Sequence, residues 1–182
     1  MRRIWFGVAL AALVVIFSLP TTWRYLYPIP YPRLVAAAAR RYGVSPYLVA
    51  AVVRAESKGR PGATSRRGAV GLMQIMPTTG AWAARRMGMR EFGPAALRDP
   101  ATNLAIGTWY LHSLLVRYRG NLPLALAAYN GGEGNVDRWL ATRRWRGTEG
   151  SEEEIPFGQT RDFVRTVLAA YEAYRRLYAR WP

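Results

Sequence analysis

Apolar positions along this chain recur at three- and four-residue steps, and no segment of adequate length alternates with period two. From Arg33 onward the pattern predicts an all-α domain without a substantial sheet. Arg33 to Tyr42 predicts a first helix, stopped by Gly43. Ser45-Pro46 places a capping residue before a proline at the first helical position, opening a helix that ends with Glu56. Pro77 to Met87 predicts a third. Asp99-Pro100 repeats the cap-plus-proline signal and starts a long helix to about Tyr118. Within it Leu104, Thr108, Leu111, Leu115 and Tyr118 keep the spacing of a buried face. Leu122 to Asn130 and Val136 to Thr142, the latter capped by Asn135, predict two short helices. Thr160 to Arg180 carries Phe163, Val164, Val167, Leu168, Tyr171, Tyr174 and Tyr178 at helical period. No internal repeat is present.

The N-terminus follows another pattern. Arg2 and Arg3 precede an uncharged stretch, Ile4 to Leu19, closed by Pro20, the layout of a secretion signal or signal anchor. As a helix it rises about 24 Å, short of a hydrocarbon core of about 30 Å unless Thr21 to Trp23 contribute. No small-x-small cleavage site surrounds Ser18, which favours an uncleaved anchor. Basic residues before the span put the N-terminus in the cytoplasm and the remainder outside. Pro20, Pro28, Pro30 and Pro32 in an aromatic setting read as a stiff, extended stalk. Trp23, Tyr25 and Tyr27 suit either the lipid headgroup level or packing on the domain. The predicted organisation is 1–20 signal anchor or signal peptide, 21–32 stalk, and 33–182 one globular domain.

Composition narrows the function. At 182 residues, 51% hydrophobic and with seven Trp, the chain supports one core. It has no cysteine, hence no disulfide framework and no thiolate zinc site. His112 is the only histidine, which argues against a Ser-His-Asp site and any multi-histidine metal site. The net charge is +15, nearly all arginine, with Lys58 the only lysine. Such charge favours polyanions: nucleic acid, anionic lipid or an acidic wall polymer. The arginines are spread as short pairs (Arg40-Arg41, Arg66-Arg67, Arg85-Arg86, Arg143-Arg144, Arg175-Arg176) rather than gathered on one reading helix. Zinc-finger and RRM signatures are missing, and the predicted topology removes most DNA from reach. No nucleic-acid partner is expected.

The candidate chemistry centres on Glu56. Leu48, Val49, Val52 and Val53 make its helix apolar nearly all round, and Glu56 shares the inward face of Val49, Val52 and Val53. An unpaired carboxyl there is desolvated, its pKa rises, and it holds its proton as a general acid must. The plainer alternative is a helix-end glutamate paired with Arg54 or Lys58, or simply exposed. After it, Gly59, Gly62, Gly68 and Gly71 mark a sharply bending loop. Met73 and Gln74 sit at a turn before Pro77, and a glutamine offers both donor and acceptor to a sugar. Glu149 and Glu152 to Glu154 read as a solvated loop.

Glu56-Ser57, Ala63, Ser65, Gly68-Ala69 and Gly71-Leu72-Met73-Gln74 through Pro77 together resemble the soluble lytic transglycosylase family, the goose-lysozyme-like enzymes that cut peptidoglycan. The resemblance runs from about Arg33 to Val167. Asp99-Pro100 with Asn103, Gly107, Tyr110 and Leu111 is similar to the family's central, structural helix. Ala127 to Gly132 resembles the motif in which Tyr129 positions the sugar or stabilises developing charge and Asn130 lines the groove. Ile155 to Val164 resembles its last motif, with Gln159 where a glutamate is usual. Glu133 stands where proline is frequent, and Gly131 where alanine is.

The resemblance implies a goose-type lysozyme-like fold and a catalytic domain over 33–182. It implies Glu56 as sole catalytic acid/base, with Ser57, Ser65, Met73, Gln74, Tyr129 and Asn130 binding substrate. Ordinary glycosidases need two carboxyl groups. Here Glu56 would protonate the bond between N-acetylmuramic acid and N-acetylglucosamine, and the muramic 6-hydroxyl would close a 1,6-anhydro ring. No metal or cofactor is implied. The expected protein is extracytoplasmic and monomeric, with peptidoglycan strands and the membrane as partners. Two alternatives remain: a lysozyme-type hydrolase using Glu133, and a non-catalytic peptidoglycan-binding module.

Overall fold

A computed structural model describes residues 20–179 and Trp181. Its helices are α1 (Pro20–Leu26), α2 (Pro32–Tyr42), α3 (Pro46–Ser57), α4 (Pro77–Arg86), α5 (Pro100–Arg117), α6 (Leu122–Gly131), α7 (Glu133–Ala141) and α8 (Gly158–Leu177). Short 3-10 turns cover Pro94–Arg98 and Glu152–Glu154. Among the described residues there is no strand, only two isolated bridges, Thr64 with Val70 and Val70 with Ile75.

Proline opens α2, α3, α4 and α5, because its fixed φ suits the first turn and its missing N–H is not needed there. Asp99 and Asn121 cap α5 and α6 through their side chains, accepting from Thr102 and Leu124. Ser45 occupies the cap position of α3 without making that bond. The last turns of α2, α4 and α8 each carry an arginine pair, Arg40-Arg41, Arg85-Arg86 and Arg175-Arg176. Cations at helix C-termini offset the partial negative charge of unpaired carbonyls, so part of the chain's positive charge serves its own helices.

Helix α3 is the buried centre: Leu48 to Val53 are all at most 2% exposed. Its most extensive partner is α8, whose Phe163, Val164, Val167, Ala170 and Tyr174 face inward. Helix α5 packs between α2 and α6. The loop from Lys58 to Met76 is pinned to α5 by the buried Asn103. Its Nδ2 donates to the Val70 and Leu97 carbonyls at 2.9 and 2.8 Å, and its Oδ1 accepts from the Met73 amide at 2.8 Å. The approach is so close that Gly71, at φ 85°, has no room for a Cβ against Asn103 and the Leu97 carbonyl.

Three expectations change. Helix α7 begins at Glu133 rather than Val136, so Asn135 lies inside it and donates to the Gly131 carbonyl at 2.7 Å instead of capping. The acidic run Glu152 to Glu154 is a helical turn: Glu154 holds Arg146 and Glu153 holds Arg165. The stretch read as an extended stalk starts with helix α1 and then lies on the domain, with Tyr27, Ile29 and Tyr31 against the core. The signal or anchor predicted for 1–20 falls, save for Pro20, outside the described residues. Among those described, no helix is long and apolar enough to cross a membrane.

Candidate active site

Glu56 lies in the last turn of α3. It is half-buried, and its carboxyl makes no hydrogen bond or ion pair with any described residue. Burial alone pushes its pKa up to about 8, so at neutral pH it keeps its proton. Pairing with Arg54 does not occur. Arg54 turns away to donate to the Leu26 carbonyl at 3.2 Å and to lie over the Tyr27 ring at 4.2 Å.

Tyr129, near the end of α6, faces this acid. Its ring stacks parallel to Phe163 at 6.2 Å and lies 5.4 Å from Tyr110, while its hydroxyl donates to the Met73 carbonyl at 2.8 Å. Its pKa is driven well above 10, by burial first and then by the neighbouring Glu56 charge and Tyr110. The phenol therefore stays neutral, and with its hydrogen committed to Met73 its oxygen can only accept. Tyr110 is pushed up to about 12, again chiefly by burial, with Glu133 adding to it.

The other predicted substrate contacts divide. Ser57 is 1% exposed; its Oγ donates to the Leu72 carbonyl at 2.8 Å and accepts from the Gly59 amide at 3.1 Å. Met73 is fully buried beneath Gly107, where a Cβ would meet the Met73 Cβ at 2.8 Å. Ser65 is exposed and accepts from the Ala69 amide at 3.0 Å within its own turn. Gln74, at φ 48°, spends both amide hydrogens on the Ala63 and Gly71 carbonyls at 3.1 and 2.8 Å, leaving its carbonyl oxygen unspent. These four residues shape the loop that walls the acid. Asn130 differs: its Oδ1 accepts from Thr160 at 2.9 Å, and its amide hydrogens have no partner among the described residues.

Asn130 lines a cavity of about 490 Å³ with Arg67, Gly131, Asn135, Pro156, Phe157, Gly158, Gln159 and Thr160. A second, of about 300 Å³, is lined by Thr78, Thr79, Trp82, Tyr110 and Glu133. Arg67, Asn135, Trp82 and Thr78 carry no site signal in the sequence, and Phe157 is marked only by lying within Ile155 to Val164. Phe157 is 48% exposed and meets Trp139 edge-on at 4.9 Å. Glu133 is held by Arg117 at 3.1 Å, which also grips Asp137 at 2.6 Å. Among the described residues no group of acidic or histidine side chains could hold a metal ion.

An all-helical domain whose buried central helix ends in a half-buried, desolvated carboxylic acid beside Tyr129 has a lysozyme-like fold. The chain belongs to the transglycosylase SLT domain family, whose model matches residues 33–151. That match starts at the residue where the sequence places the domain and stops short of Ile155 to Val164. The soluble lytic murein transglycosylase of Salmonella typhimurium is 38% identical over 159 residues, covering 85% of this chain and 24% of the relative. Its Escherichia coli counterpart is 35% identical over 161 residues, covering 86% and 25%. Among solved structures, the 70 kDa soluble lytic transglycosylase of Escherichia coli aligns with a TM-score of 0.78 at 32% identity, over 86% of this chain and 26% of that one. An inactive variant of the lytic transglycosylase Slt from Pseudomonas aeruginosa, carrying glutamine in place of a glutamate, aligns with a TM-score of 0.76 at 32% identity, over the same shares. The chain thus spans about a quarter of the length of these relatives.

Proposed function

We propose that this chain is a peptidoglycan lytic transglycosylase that cleaves the β-1,4 bond between N-acetylmuramic acid and N-acetylglucosamine without consuming water. The observation that carries the reading is the half-buried Glu56 beside Tyr129, without a partner among the described residues and desolvated by its surroundings. Glu56 donates its proton to the glycosidic oxygen and becomes a carboxylate. The bond between the muramic C1 and that oxygen breaks, and the N-acetylglucosamine hydroxyl leaves. Positive charge at C1 is met by the substrate's own acetamido oxygen, in place of a second protein carboxylate. Carboxylate Glu56 then takes the proton of the muramic 6-hydroxyl as its oxygen bonds to C1, closing the 1,6-anhydro ring and restoring the acid. The Tyr129 oxygen and the Gln74 carbonyl accept hydrogen bonds from sugar hydroxyls, and the Asn130 amide donates to an N-acetyl carbonyl. That a glutamate-to-glutamine change inactivates the Pseudomonas relative agrees with one acid carrying the chemistry.

The protein works outside the cytoplasm, held to the membrane by residues 4–19. Glu133 is a poor candidate for activating water because the Arg117 guanidinium holds its carboxylate. The test is digestion of purified peptidoglycan with fragment masses read out. The wild type releases anhydro products, each one water lighter than a hydrolysed fragment, and Glu56→Gln lowers turnover by about 10²–10⁴. Reducing-end products from the wild type would overturn the lytic reading. A Glu56→Gln variant that still turns over at the wild-type rate would overturn the role of the acid.

A further inference from the structure

Helix α1 is sided in a way the glycan chemistry does not use. At 100° per residue, Arg24 marks one side of the helix, while Leu26 lies on the opposite side with Trp23 and Tyr25 flanking it. The Arg24 side faces the domain: its Nε donates to the Leu177 carbonyl at 2.9 Å, at the C-terminal end of α8, and its guanidinium lies 5.2 Å from the Tyr178 ring centre. The only charge in the helix thus leans on the end of α8, while Arg24 itself stays exposed. The other side presents Trp23, Tyr25 and Leu26, which are 42%, 86% and 47% exposed. They are half of the six large hydrophobic side chains most exposed among the described residues.

The segment after α1 is bolted down rather than free to swing. Tyr178 donates to the Tyr27 carbonyl at 2.9 Å and Tyr174 to the Pro28 carbonyl at 3.0 Å. Tyr27 and Tyr174 meet edge-on at 6.0 Å, and Arg54 of α3 reaches the Leu26 carbonyl. Directly before α1 the sequence runs uncharged from Ile4 to Leu19 behind Arg2 and Arg3. Tryptophan and tyrosine bordering an apolar stretch suit the headgroup layer, where an amphipathic ring is stabilised at both ends.

We propose that the Trp23–Tyr25–Leu26 face of α1 seats the domain directly on the headgroup layer of a lipid bilayer. The clasp onto α8 and α3 then carries that fixed orientation to the helix bearing Glu56. The inference rests on the reading of residues 4–19 as a membrane anchor and is independent of the glycan chemistry. It replaces an extended stalk with a rigid mount, so that the helix bearing Glu56 is held at a set height.

Because the chain has no cysteine, single nitroxide labels can be placed on the full-length protein at Tyr25→Cys and Leu26→Cys, with Glu149→Cys in an exposed loop as reference. The protein is reconstituted into vesicles of phosphatidylcholine with a minority of phosphatidylglycerol. Collisions with dioxygen, which concentrates in lipid, are compared with those of a water-soluble nickel chelate. The expected result is a dioxygen-to-chelate ratio several-fold higher at positions 25 and 26 than at 149, with an ordered line shape. Equal ratios in protein that sediments with the vesicles would overturn the proposal in favour of a domain held clear of the bilayer. Dipolar broadening between labels would overturn it in favour of pairing between copies of the chain. Failure to sediment would remove the anchor and the seat together. Fragment release measured on the same preparation reports on the enzyme reading separately.

Discussion

The loop around Glu56 and the cavity lined by Asn130 use their polar groups in opposite ways. On the Glu56 side, Ser57, Gln74 and Asn103 spend their donors on backbone carbonyls of the protein itself, and Met73 is sealed beneath Gly107. On the Asn130 side, the Asn130 amide, the Phe157 ring and the Gln159 side chain line an open cavity. The first is a frame around the half-buried acid; the second, on the proposed function, receives the glycan. The motif around Glu56 therefore mostly builds the frame, whereas Asn130, Phe157 and Gln159, from the two later motifs, line the cavity.

Breaking the frame has the largest expected effect. Asn103→Ala strands the Val70 and Leu97 carbonyls and the Met73 amide without partners in the interior. It is predicted to cost about 3–5 kcal/mol, read as a lower denaturation midpoint with activity lost in parallel. An unchanged midpoint would mean that the loop does not hang on that side chain.

Glu56 itself should be a liability to stability. Its carboxyl has a pKa of about 8 in the fold against 4.5 as a free side chain, so across that interval the folded protein binds more protons than the unfolded chain. Stability then falls as pH rises from 4.5 towards 8 and levels off above. Glu56→Gln removes the effect: it should be more stable than wild type by about 1–3 kcal/mol at pH 8, a figure discounted for partial exposure, and nearly equal at pH 4. Equal melting temperatures at pH 8 would contradict a desolvated acid.

On the recognition side the effects are smaller. Phe157→Ala should raise KM for soluble glycan fragments roughly 3–10-fold with kcat unchanged, from loss of about 1 kcal/mol of ring contact. A fall in kcat with constant KM would place Phe157 in the framework instead. Glu133→Ala should leave turnover within about twofold, since it removes only an exposed pair with Arg117; its loss of activity would restore the hydrolase alternative.

Much of this frame was legible in the sequence. Cap-plus-proline signals located α3 and α5, and the apolar run before Glu56 foretold a raised pKa from desolvation. What the sequence hid has physical causes. Asn103 reads as an ordinary helix residue until the loop it pins is folded against it. Ser57 and Gln74 carry groups suited to a sugar, but this tight loop draws the Ser57 hydroxyl and the Gln74 amide hydrogens onto its own backbone carbonyls, and Met73 is buried beneath Gly107. The segment after Pro20 reads as extended from its prolines. Yet those prolines are separated by Tyr27, Ile29 and Tyr31, which gain more by packing on α8 and its surroundings than by standing in water. Asn135 reads as a cap in front of Val136, but the helix starts earlier, at Glu133.

The central claim is that one side chain holds a proton at neutral pH. Infrared difference spectra between the wild type and Glu56→Gln, recorded across a pH series, isolate the carboxylic C=O stretch of that single group. The account predicts a band that persists through neutrality and titrates away with a midpoint near 8. A band already gone by pH 6, with a midpoint near 4.5, would contradict it.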